Sequence, residues 1–533
     1  MTTPGARDLV RLAIRRDRFM LAAWIYVLAI VIGASGGYAL REVYKTAASR
    51  ASLAASIRTD PALLFLYGQL HGSSLGAIAT WRYLAYAALG AALMSTFLVV
   101  RHTRADEETG RLELIGSTAV GRHVPMVVAM VVASVANVVL FVLTAAILAV
   151  GGLPLGGAVA FGLAEISCGL VFAAIAAVAA QISGTARGAR GISIVVLAAC
   201  FLLRGVGDSG ASHGLTWLTW LSPIGWAELV RPFAAPRWWV LALPVAAMAA
   251  GIGVAFALAA RRDQGAGLIQ PRPGPAVAGP LLSGPAGLSW RLQRGWLAGW
   301  AAGFLVGGLA IGVVTTSIGK LVGSSAAIDK AISKIGGQSG LTDAYLAGCM
   351  GLIGLVAAAY AVSVVLRLRS DEEAQRDEPL LASPVSRLRW GGGNLLVALA
   401  GTAVVLVAGG FGVGLAFGIA TSDVGTQLPS LIGAGLGQLP AAAAVAAVAA
   451  AAVGLVPSWS APVGWTVLGI CGFVGVFGPA LNLSQWVLDI SPFTHAPKLP
   501  GGVFSATPVL WLSVAALALA AAGLTGLRQR DIG

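Results

Sequence analysis

Long apolar runs with almost no charge recur along the whole of this 533-residue chain. Each run is roughly 20 residues long, which is the length that a helix needs to cross a hydrocarbon core of roughly 30 Å. The chain is 57% hydrophobic, with a mean hydropathy of +0.84, and this is too apolar for a soluble protein that must cover its core with polar surface. Because a β-barrel would show short alternating segments instead, the sequence predicts an all-α integral membrane protein.

The apolar runs predict about 12 transmembrane helices. The first run follows Arg15, Arg16 and Arg18 and extends to about residue 40, which is longer than the apolar core of a cleaved signal peptide. We therefore expect a retained first helix. The predicted spans are residues 19–40, 81–100, 125–150, 155–181, 191–206, 238–260, 297–319, 344–366, 392–418, 432–456, 462–479 and 506–526.

Basic residues are distributed unevenly between the two sides of these spans. If the N-terminus is cytoplasmic, the cytoplasmic segments hold 23 arginines, and the other side and its span ends hold 12 basic residues. Cytoplasmic loops of membrane proteins carry an excess of Lys and Arg. The bias therefore predicts that both termini are cytoplasmic.

Composition excludes several other classes of protein. The formal charge of +13 does not indicate a nucleic-acid partner, because the arginines lie beside the apolar runs and form no soluble basic domain. The four cysteines all fall inside apolar runs, so neither a disulfide framework nor a CxxC metal site is expected. The five histidines are scattered and form no HExxH motif, and we predict no metal site.

Two charged segments interrupt the apolar pattern, and they are copies of each other. "RADEETGRLELIGSTAVGR" begins at Arg104, and "RSDEEAQRDEPLLASPVSR" begins 265 residues later, at Arg369. Charged residues match in register and without a gap. The matched positions are Arg104, Asp106, Glu107, Glu108, Arg111, Glu113 and Arg122 in the first segment, and Arg369, Asp371, Glu372, Glu373, Arg376, Glu378 and Arg387 in the second.

Other landmarks repeat at nearly the same distance, such as "RDQG" at 262–265 and "RDIG" at 530–533. Each half holds six predicted spans, and matching landmarks fall on the same predicted side of the membrane. The sequence therefore predicts two parallel six-helix repeats, residues 1–264 and 288–533, related by an axis along the membrane normal. The Gly- and Pro-rich residues 265–287 are the predicted cytoplasmic linker.

Both acidic segments follow the second span of their half, so both are predicted to be cytoplasmic. Each can form a short helix on which Glu107 and Arg111, or Glu372 and Arg376, have the supportive i,i+4 spacing. Such a helix can dock in a partner's groove, with its acidic residues meeting basic side chains. The alternative for one loop alone is a solvated helix that only caps the membrane ends, but the repeat in register favours docking.

At these segments the chain resembles the permease subunits of ABC-type exporters, in particular the long, fused, 12-helix actinobacterial type of the polyketide antibiotic and multidrug exporters. The resemblance also includes "LSPIGWAELVRPF" before the sixth span and "ARRDQGAGLIQPRPGPA" after it. These motifs are distributed over nearly the whole chain. Their order is more specific than any one of them.

The resemblance implies a role for each of these segments. The acidic segments would be coupling helices that contact two copies of a separate ATPase subunit, with ATP and Mg bound by those partners and no cofactor in this chain. The segments before spans 6 and 12 would form an outer re-entrant region. The location would be the bacterial cytoplasmic (inner) membrane.

The second half departs from the first at several of these positions. "ISPFTHAPKLP" lacks the glycine, tryptophan and glutamate of "LSPIGWAELVRP". Gly110 and Leu112 of the first acidic segment correspond to Gln375 and Asp377 of the second. The two halves are therefore not expected to engage their partners identically.

The chain has no GxxxxGK[ST] phosphate loop, so an ATPase must be another polypeptide. Inside the spans, Glu165 is the conspicuous ionisable residue, and Gln438 lies at a similar place in the second half. A carboxylate at that depth is costly and marks a functional candidate. One hypothesis is that Glu165 and Gln438 line a central pathway for cationic or hydroxylated lipophilic compounds. The alternative is that Glu165 is protonated or hydrogen-bonded between helices.

These observations predict a membrane permease that exports lipophilic small molecules using separately encoded ATPase subunits, and not an enzyme in its own right. The substrate class comes from the resemblance alone. The rival hypothesis is a proton-coupled multidrug transporter of the major facilitator type, which also has two parallel six-helix halves. That class needs ionisable residues in its spans to couple protons to transport, and Glu165 alone provides little for this purpose.

Overall fold

The computed structural model describes residues 5–34, 44, 46–58, 60–117, 120–263, 265–269, 277, 279, 284–322, 340–477, 484–502 and 504–530. The chain divides into two compact units, Met1–Gly274 and Pro275–Gly533. The boundary between the units falls inside the predicted linker, residues 265–287. In the described part of the chain, regular structure is helical apart from one isolated β-bridge, between Ser183 and Ile269.

Ten of the described helices of the first unit position its loops. They are α1 (Ala6–Ala34), α2 (Ala47–Arg58), α3 (Pro61–Tyr67), α4 (Leu75–Val100), α5 (Arg111–Gly116), α6 (Val124–Val150), α7 (Leu155–Ile182), α8 (Ala186–Ser209), α9 (Pro223–Leu229) and α10 (Ala242–Arg261). Side-chain caps begin several of them, because the first amide groups of a helix have no partner within it. Ser74 accepts from the Ala77 amide at the start of α4, and Thr185 accepts from Gly188 at the start of α8.

The second unit contains nine described helices. They are α11 (Pro285–Val322), α12 (Leu341–Glu373), α13 (Glu378–Leu381), α14 (Arg387–Thr421), α15 (Val424–Leu436), α16 (Leu439–Leu455), α17 (Ser460–Phe477), α18 (Gln485–Leu488) and α19 (Ala506–Gln529). Helix α11 begins at Pro285, so the last residues of the predicted linker are already helical. Pro is well suited to the first position of a helix, since its missing N–H needs no partner there.

Ten of these segments are long and apolar enough to cross a membrane, counted over the described residues only. They overlap ten of the predicted spans, and the all-α integral membrane class is confirmed. The predicted spans at 19–40 and 462–479 coincide with α1 and α17, and each runs on into residues outside the description. The count of 12 remains a prediction.

One predicted span is built differently from a single straight helix. Residues 432–456 belong to α15 and α16, which are separated at Gly437 and Gln438. Pro440 lies in the first turn of α16, where it is tolerated, but its ring prevents α15 from continuing through this point. Gln438 is therefore at a helix break, while its proposed counterpart Glu165 is in the middle of the unbroken helix α7.

Close helix packing in the second unit depends on small residues. A Cβ atom added at Gly454 of α16 would overlap the carbonyl oxygen of Gly523 in α19, and one at Gly523 would overlap that of Ala450. Without a hydrophobic driving force between helices in lipid, such close backbone contact is a main source of association. The abundance of Gly and Ala in this chain is used in this way.

Candidate docking surface

The first part of each acidic segment continues the second span of its unit, and the short helices α5 and α13 follow after a turn. In the first unit α4 runs through a π-helical turn, Arg101–Ala105, to Glu108 before the chain turns. In the second unit α12 runs unbroken to Glu373. The turn that follows has a left-handed residue at matched positions, Gly110 with φ 71° and Gln375 with φ 53°.

This turn corrects the prediction of one short helix with i,i+4 pairs. Arg111 and Arg376 lie beyond the turn, so they cannot contact Glu107 and Glu372 along a helix face. Each arginine instead reaches back to an aspartate, and the Nη1–Oδ1 distance is 3.4 Å both for Arg111 with Asp106 and for Arg376 with Asp371. The sequence repeat therefore corresponds to a contact that occurs in both units, but the contact is between arginine and aspartate and not the predicted one between arginine and glutamate.

In the first unit Glu107 is held by the end of the last span. Nη1 and Nη2 of Arg262 donate to its two carboxylate oxygens at 2.7 and 2.8 Å. Arg104 binds the same carboxylate at 2.9 Å, and the amide of Gly265 donates to it at 2.6 Å. The Glu107 side chain is only 8% exposed. We call the Glu107–Arg262 pair the first clasp.

The second unit contains the same arrangement. Nη1 and Nη2 of Arg530 donate to the two carboxylate oxygens of Glu372, both at 2.7 Å. Arg369, the counterpart of Arg104, lies 3.3 Å from the same carboxylate, whose side chain is 4% exposed. We call the Glu372–Arg530 pair the second clasp. Paired N–H donation to a carboxylate of this kind is among the stronger charge-assisted contacts in proteins.

A second link joins the same two regions in each unit. Arg122 donates to the carbonyls of Ala259 and Arg262 at the end of α10. Its counterpart Arg387 donates to the carbonyls of Arg528 and Arg530. An arginine near the C-terminal end of a helix satisfies carbonyls that have no partner within the helix. The loop after each acidic segment is therefore tied to the last span.

The ten predicted docking residues thus separate into two groups. Asp106, Glu107 and Glu372 are engaged inside their units, as is the partly buried Asp371. The remaining side chains are exposed: Glu108, Arg111 and Glu113 in the first unit, and Glu373, Arg376 and Glu378 in the second. We call these two trios the docking surfaces. Their members match one another at the interval of 265 residues.

A pocket lies beside each docking surface at matched positions. The pocket in the first unit has a volume of about 480 Å³, and Leu112, Glu113 and Arg122 are among its lining residues. The pocket in the second unit has a volume of about 390 Å³, and its lining includes Asp377, Glu378 and Arg387. Both are concave sites bordered by carboxylates and an arginine.

The two pockets differ at one buried position. Asp377 replaces Leu112 and is only 2% exposed, with no hydrogen-bond partner for its Oδ2 atom. Burial raises the pKa of this carboxyl, and the nearby carboxylates of Glu372 and Glu378 raise it further. The second pocket therefore carries an acidic group that is harder to ionise than an exposed aspartate.

The two predicted pathway residues are buried inside their own units. Glu165 is fully buried in α7, and neither of its carboxyl oxygens has a hydrogen-bond partner. Gln438 is 2% exposed, and its Nε2 donates to the carbonyl of Pro497 at 3.2 Å. Gln438 thus anchors the segment before the last span, a role that the sequence pattern did not indicate.

The first unit also contains a buried ionic group that the sequence analysis did not single out. Arg204 of α8 is fully buried, with Nη1 at 3.3 Å from Glu228 and 3.8 Å from Asp208. Its Nη2 donates to the carbonyl of Leu66, and Thr219 donates to Asp208 at 3.1 Å. Burial raises the pKa of Glu228 well above its ordinary value. We call Arg204, Asp208 and Glu228 the outer ionic cluster.

A signal for both missed groups was present in the sequence. Arg262 and Arg530 open the repeated Arg-Asp-x-Gly landmarks, and Glu228 is the glutamate of "GWAEL" that the second half lacks. Repetition identified the positions, but it could not identify which carboxylate each arginine meets. That pairing depends on how the helices pack.

The fold and these sites define a multi-pass all-α membrane protein built from two units with matching charged ends. Residues 282–528 match the family described as the C-terminal domain of the multidrug efflux system permease Rv1217c. The chain is also 41% identical, over 531 residues, to the multidrug efflux system permease protein Rv1217c of Mycobacterium tuberculosis (strain ATCC 25618 / H37Rv), covering 99% of this chain and 95% of that protein. The chain therefore belongs to this family of membrane permeases.

Proposed function

We propose that this protein is the membrane permease of an ATP-driven multidrug exporter and that two copies of a separate ATPase subunit bind its two docking surfaces. The relative's description as a multidrug efflux system permease supports the export of lipophilic small molecules. The absence of a phosphate loop from the sequence supports a separate energy source. ATP and Mg would be bound by those partner subunits.

The observation that carries the docking proposal is the matched exposure of the two trios. Four acidic side chains, Glu108, Glu113, Glu373 and Glu378, remain exposed. Glu373 also pairs with Arg369 at 3.0 Å, but its side chain is 61% exposed, whereas Glu107 and Glu372 are buried against internal arginines. Exposed charge at the rim of a contact guides encounter and sets specificity. Two copies of one partner can therefore bind, one at each docking surface.

The proposed cycle begins with ATP binding to the ATPase pair. Closure of that pair would displace both docking surfaces and switch the permease between inward- and outward-facing states. In this proposal both termini are cytoplasmic and the permease is in the bacterial cytoplasmic membrane. Glu165 and Gln438 are proposed to contribute polar contacts to the pathway for the transported compound.

The docking proposal predicts a specific loss of partner binding. Glu108→Arg combined with Glu373→Arg should strongly reduce the amount of ATPase that co-purifies with the permease, because both changes reverse charge on the exposed surface. Thermal stability of the permease should change little, since surface substitutions usually alter stability by no more than about 0.5 kcal/mol. The ratio of ATPase to permease is measured after affinity purification in mild detergent.

The matched control is Asp8→Arg, which reverses an exposed carboxylate on α1 that belongs to neither docking surface. It should leave the amount of bound ATPase unchanged. Full ATPase retention by the double variant would refute the assignment of these surfaces. For the pathway, Glu165→Gln should alter export of at least some cationic compounds, and an unchanged profile across a compound panel would remove Glu165 from it.

A further inference from the structure

We propose that the two clasps carry the movement of the docking surfaces to the last helix of each unit, α10 and α19. The inference rests on the proposed function, because it requires ATPase subunits that act on those surfaces. Glu107, Arg262, Glu372 and Arg530 are positioning residues in this account. They act through the helices that they join, and they touch neither nucleotide nor transported compound.

Each clasp joins the segment that bears a docking surface to the end of the last span. Glu107 is adjacent to the exposed Glu108, and Arg262 directly follows α10. Glu372 is adjacent to the exposed Glu373, and Arg530 directly follows α19. With both N–H···O distances between 2.7 and 2.8 Å in each fork, a displacement of the carboxylate must move the guanidinium or break two hydrogen bonds.

Helix packing leaves few other direct routes between these elements. In the described part of the first unit, α4 and α10 both pack against α7 and scarcely touch each other. In the second unit α12 and α19 have the same relation to α16. Direct contact between the second and last spans therefore depends on their charged ends.

The last spans also have the smallest buried share among the candidate spans of the described residues. Only 17% of the most apolar window of Trp238–Arg261 is buried, and the figure for Ala506–Gln529 is again 17%. The corresponding shares are 72% for Leu75–Glu108 and 56% for Thr342–Glu373. Each last span therefore meets its own unit along a narrow face, as α19 does where its small residues pack on α16, and a strong contact at its end is well placed to direct its movement.

In the first unit the clasp also holds the chain that leaves the last span. The Glu107 carboxylate accepts from the amide of Gly265, and Arg104 donates to the carbonyls of Gly265 and Ala266. Leu268 and Ile269 then pair by backbone hydrogen bonds with Gln181 and Ile182 at the end of α7. The segment that follows α10 is thereby bound to Glu107, the residue next to the first docking surface.

The test uses the full permease, reconstituted in vesicles with its ATPase subunits. Transport of a fluorescent lipophilic cation and hydrolysis of ATP are measured in the same sample. Glu107→Gln with Glu372→Gln keeps side-chain shape but removes both charged forks. We expect ATPase binding and ATP hydrolysis to persist while the compound exported per ATP falls about tenfold, a size typical of coupling between linked sites. The control pair Arg261→Gln and Arg528→Gln changes exposed arginines at the same helix ends and should have no such effect.

A graded pair of variants separates coupling from a purely structural role. Glu107→Asp with Glu372→Asp keeps a carboxylate beside Arg104 and Arg369, and it should retain more of the export per ATP than the glutamine pair. Arg262→Lys with Arg530→Lys retains charge but loses the two-pronged geometry, and it serves as the milder variant if the others fold poorly. Export per ATP is expected to fall in the lysine variant too.

The outcomes that overturn the proposal are distinct from failure of the proposed function. Unchanged export per ATP in clasp-broken permease would refute the coupling role while leaving ATPase docking intact. Losses of export that follow only the loss of thermal stability, with export per ATP preserved, would assign the clasps to folding alone and also overturn the proposal. If wild-type permease bound no ATPase at all, both the proposed function and this inference would fall.

Discussion

The two units have matching charged groups at one end and different polar groups at the other end. On the side predicted to be cytoplasmic, each has a clasp, an arginine bound to the carbonyls of the last span, and an exposed trio at matched positions. On the opposite side the first unit has the outer ionic cluster. The second unit instead has the neutral contact from Gln438 to Pro497.

Under the proposed function, the matching end is the one that must act twice. A pair of identical partner subunits would need two equivalent contacts, and the clasps and exposed trios would supply them. The outer segment before the last span has no such constraint. It can be held by a buried ionic group in one unit and by a single amide in the other.

A smaller contrast lies within the helix packing. Asn137 donates to Ser95 between α6 and α4 in the first unit. At the position matching Ser95, 265 residues on, the second unit has Tyr360, whose hydroxyl occupies the space where Gly401 lacks a side chain. The serine of this polar pair has thus been replaced in the second unit by a large residue that packs on a glycine.

The largest expected effect distinguishes the outer ends of the units. Arg204→Leu should lower the free energy of unfolding by about 3 to 5 kcal/mol, because it leaves the buried carboxylates of Asp208 and Glu228 without their cation. Gln438→Leu removes a single neutral hydrogen bond and should cost about 1 to 2 kcal/mol. Denaturant unfolding of the purified permease compares the two, and equal losses would show that the outer ionic cluster is not the stronger anchor.

An intermediate effect concerns the packing exchange. Gly401→Ala should destabilise the second unit by about 1 to 3 kcal/mol, because the added methyl group would overlap the Tyr360 hydroxyl in a filled core. The matched position in the first unit is already Ala136. Tyr360→Ser combined with Gly401→Ala should recover part of the lost stability in the same unfolding assay. If no stability is recovered, the loss does not arise from contact between these two residues.

Comparison of sequence and structure shows where prediction succeeded. Run length and charge alone located ten spans and both acidic segments, although some helices are longer than predicted, such as the one that begins at Pro285 and not at residue 297. They missed the extension of α4 to Glu108 because charged residues end a hydropathy run without ending a helix. They also missed the break at Gln438, since Pro440 lay inside a run that was otherwise continuous.

The repeat singled out Glu107 and Glu372 as docking residues, but the structure buries both against arginines of their own units. Those partners, Arg262 and Arg530, lie far away in the sequence, and only helix packing brings them together. Whether a carboxylate faces outward or inward depends on the rotation of its helix and on the turn that follows. A charge pattern contains neither quantity.

A smaller effect is expected at the turn after each acidic segment. Gln375 has a left-handed backbone at the position where the first unit has Gly110, and a non-glycine residue pays roughly 1 kcal/mol for that conformation. Gln375→Gly should therefore stabilise the second unit slightly, by up to about 1 kcal/mol, whereas Gly110→Gln should destabilise the first. Midpoints of denaturant unfolding give both values, and a stabilising Gly110→Gln would contradict this explanation.

The smallest expected effect depends on pH and is confined to the first unit. Burial, together with the charges of Arg231 and Arg237, lowers the pKa of His71 to about 4. The folded protein thus keeps this imidazole neutral, so its contribution to stability is present above pH 6.5 and is lost as the pH falls towards 4. His71→Gln should flatten the pH dependence of unfolding in that window, and an unaltered profile would exclude His71 as its source.

The central claim is that two identical partners bind two equivalent surfaces, and its most direct test is the ratio of subunits in the intact assembly. The wild-type permease should be purified gently from its native host, and the co-purifying ATPase should be quantified by native mass spectrometry. The account predicts two ATPase copies for each permease chain. A permease that is recovered alone, under conditions that preserve other exporter assemblies, would contradict it.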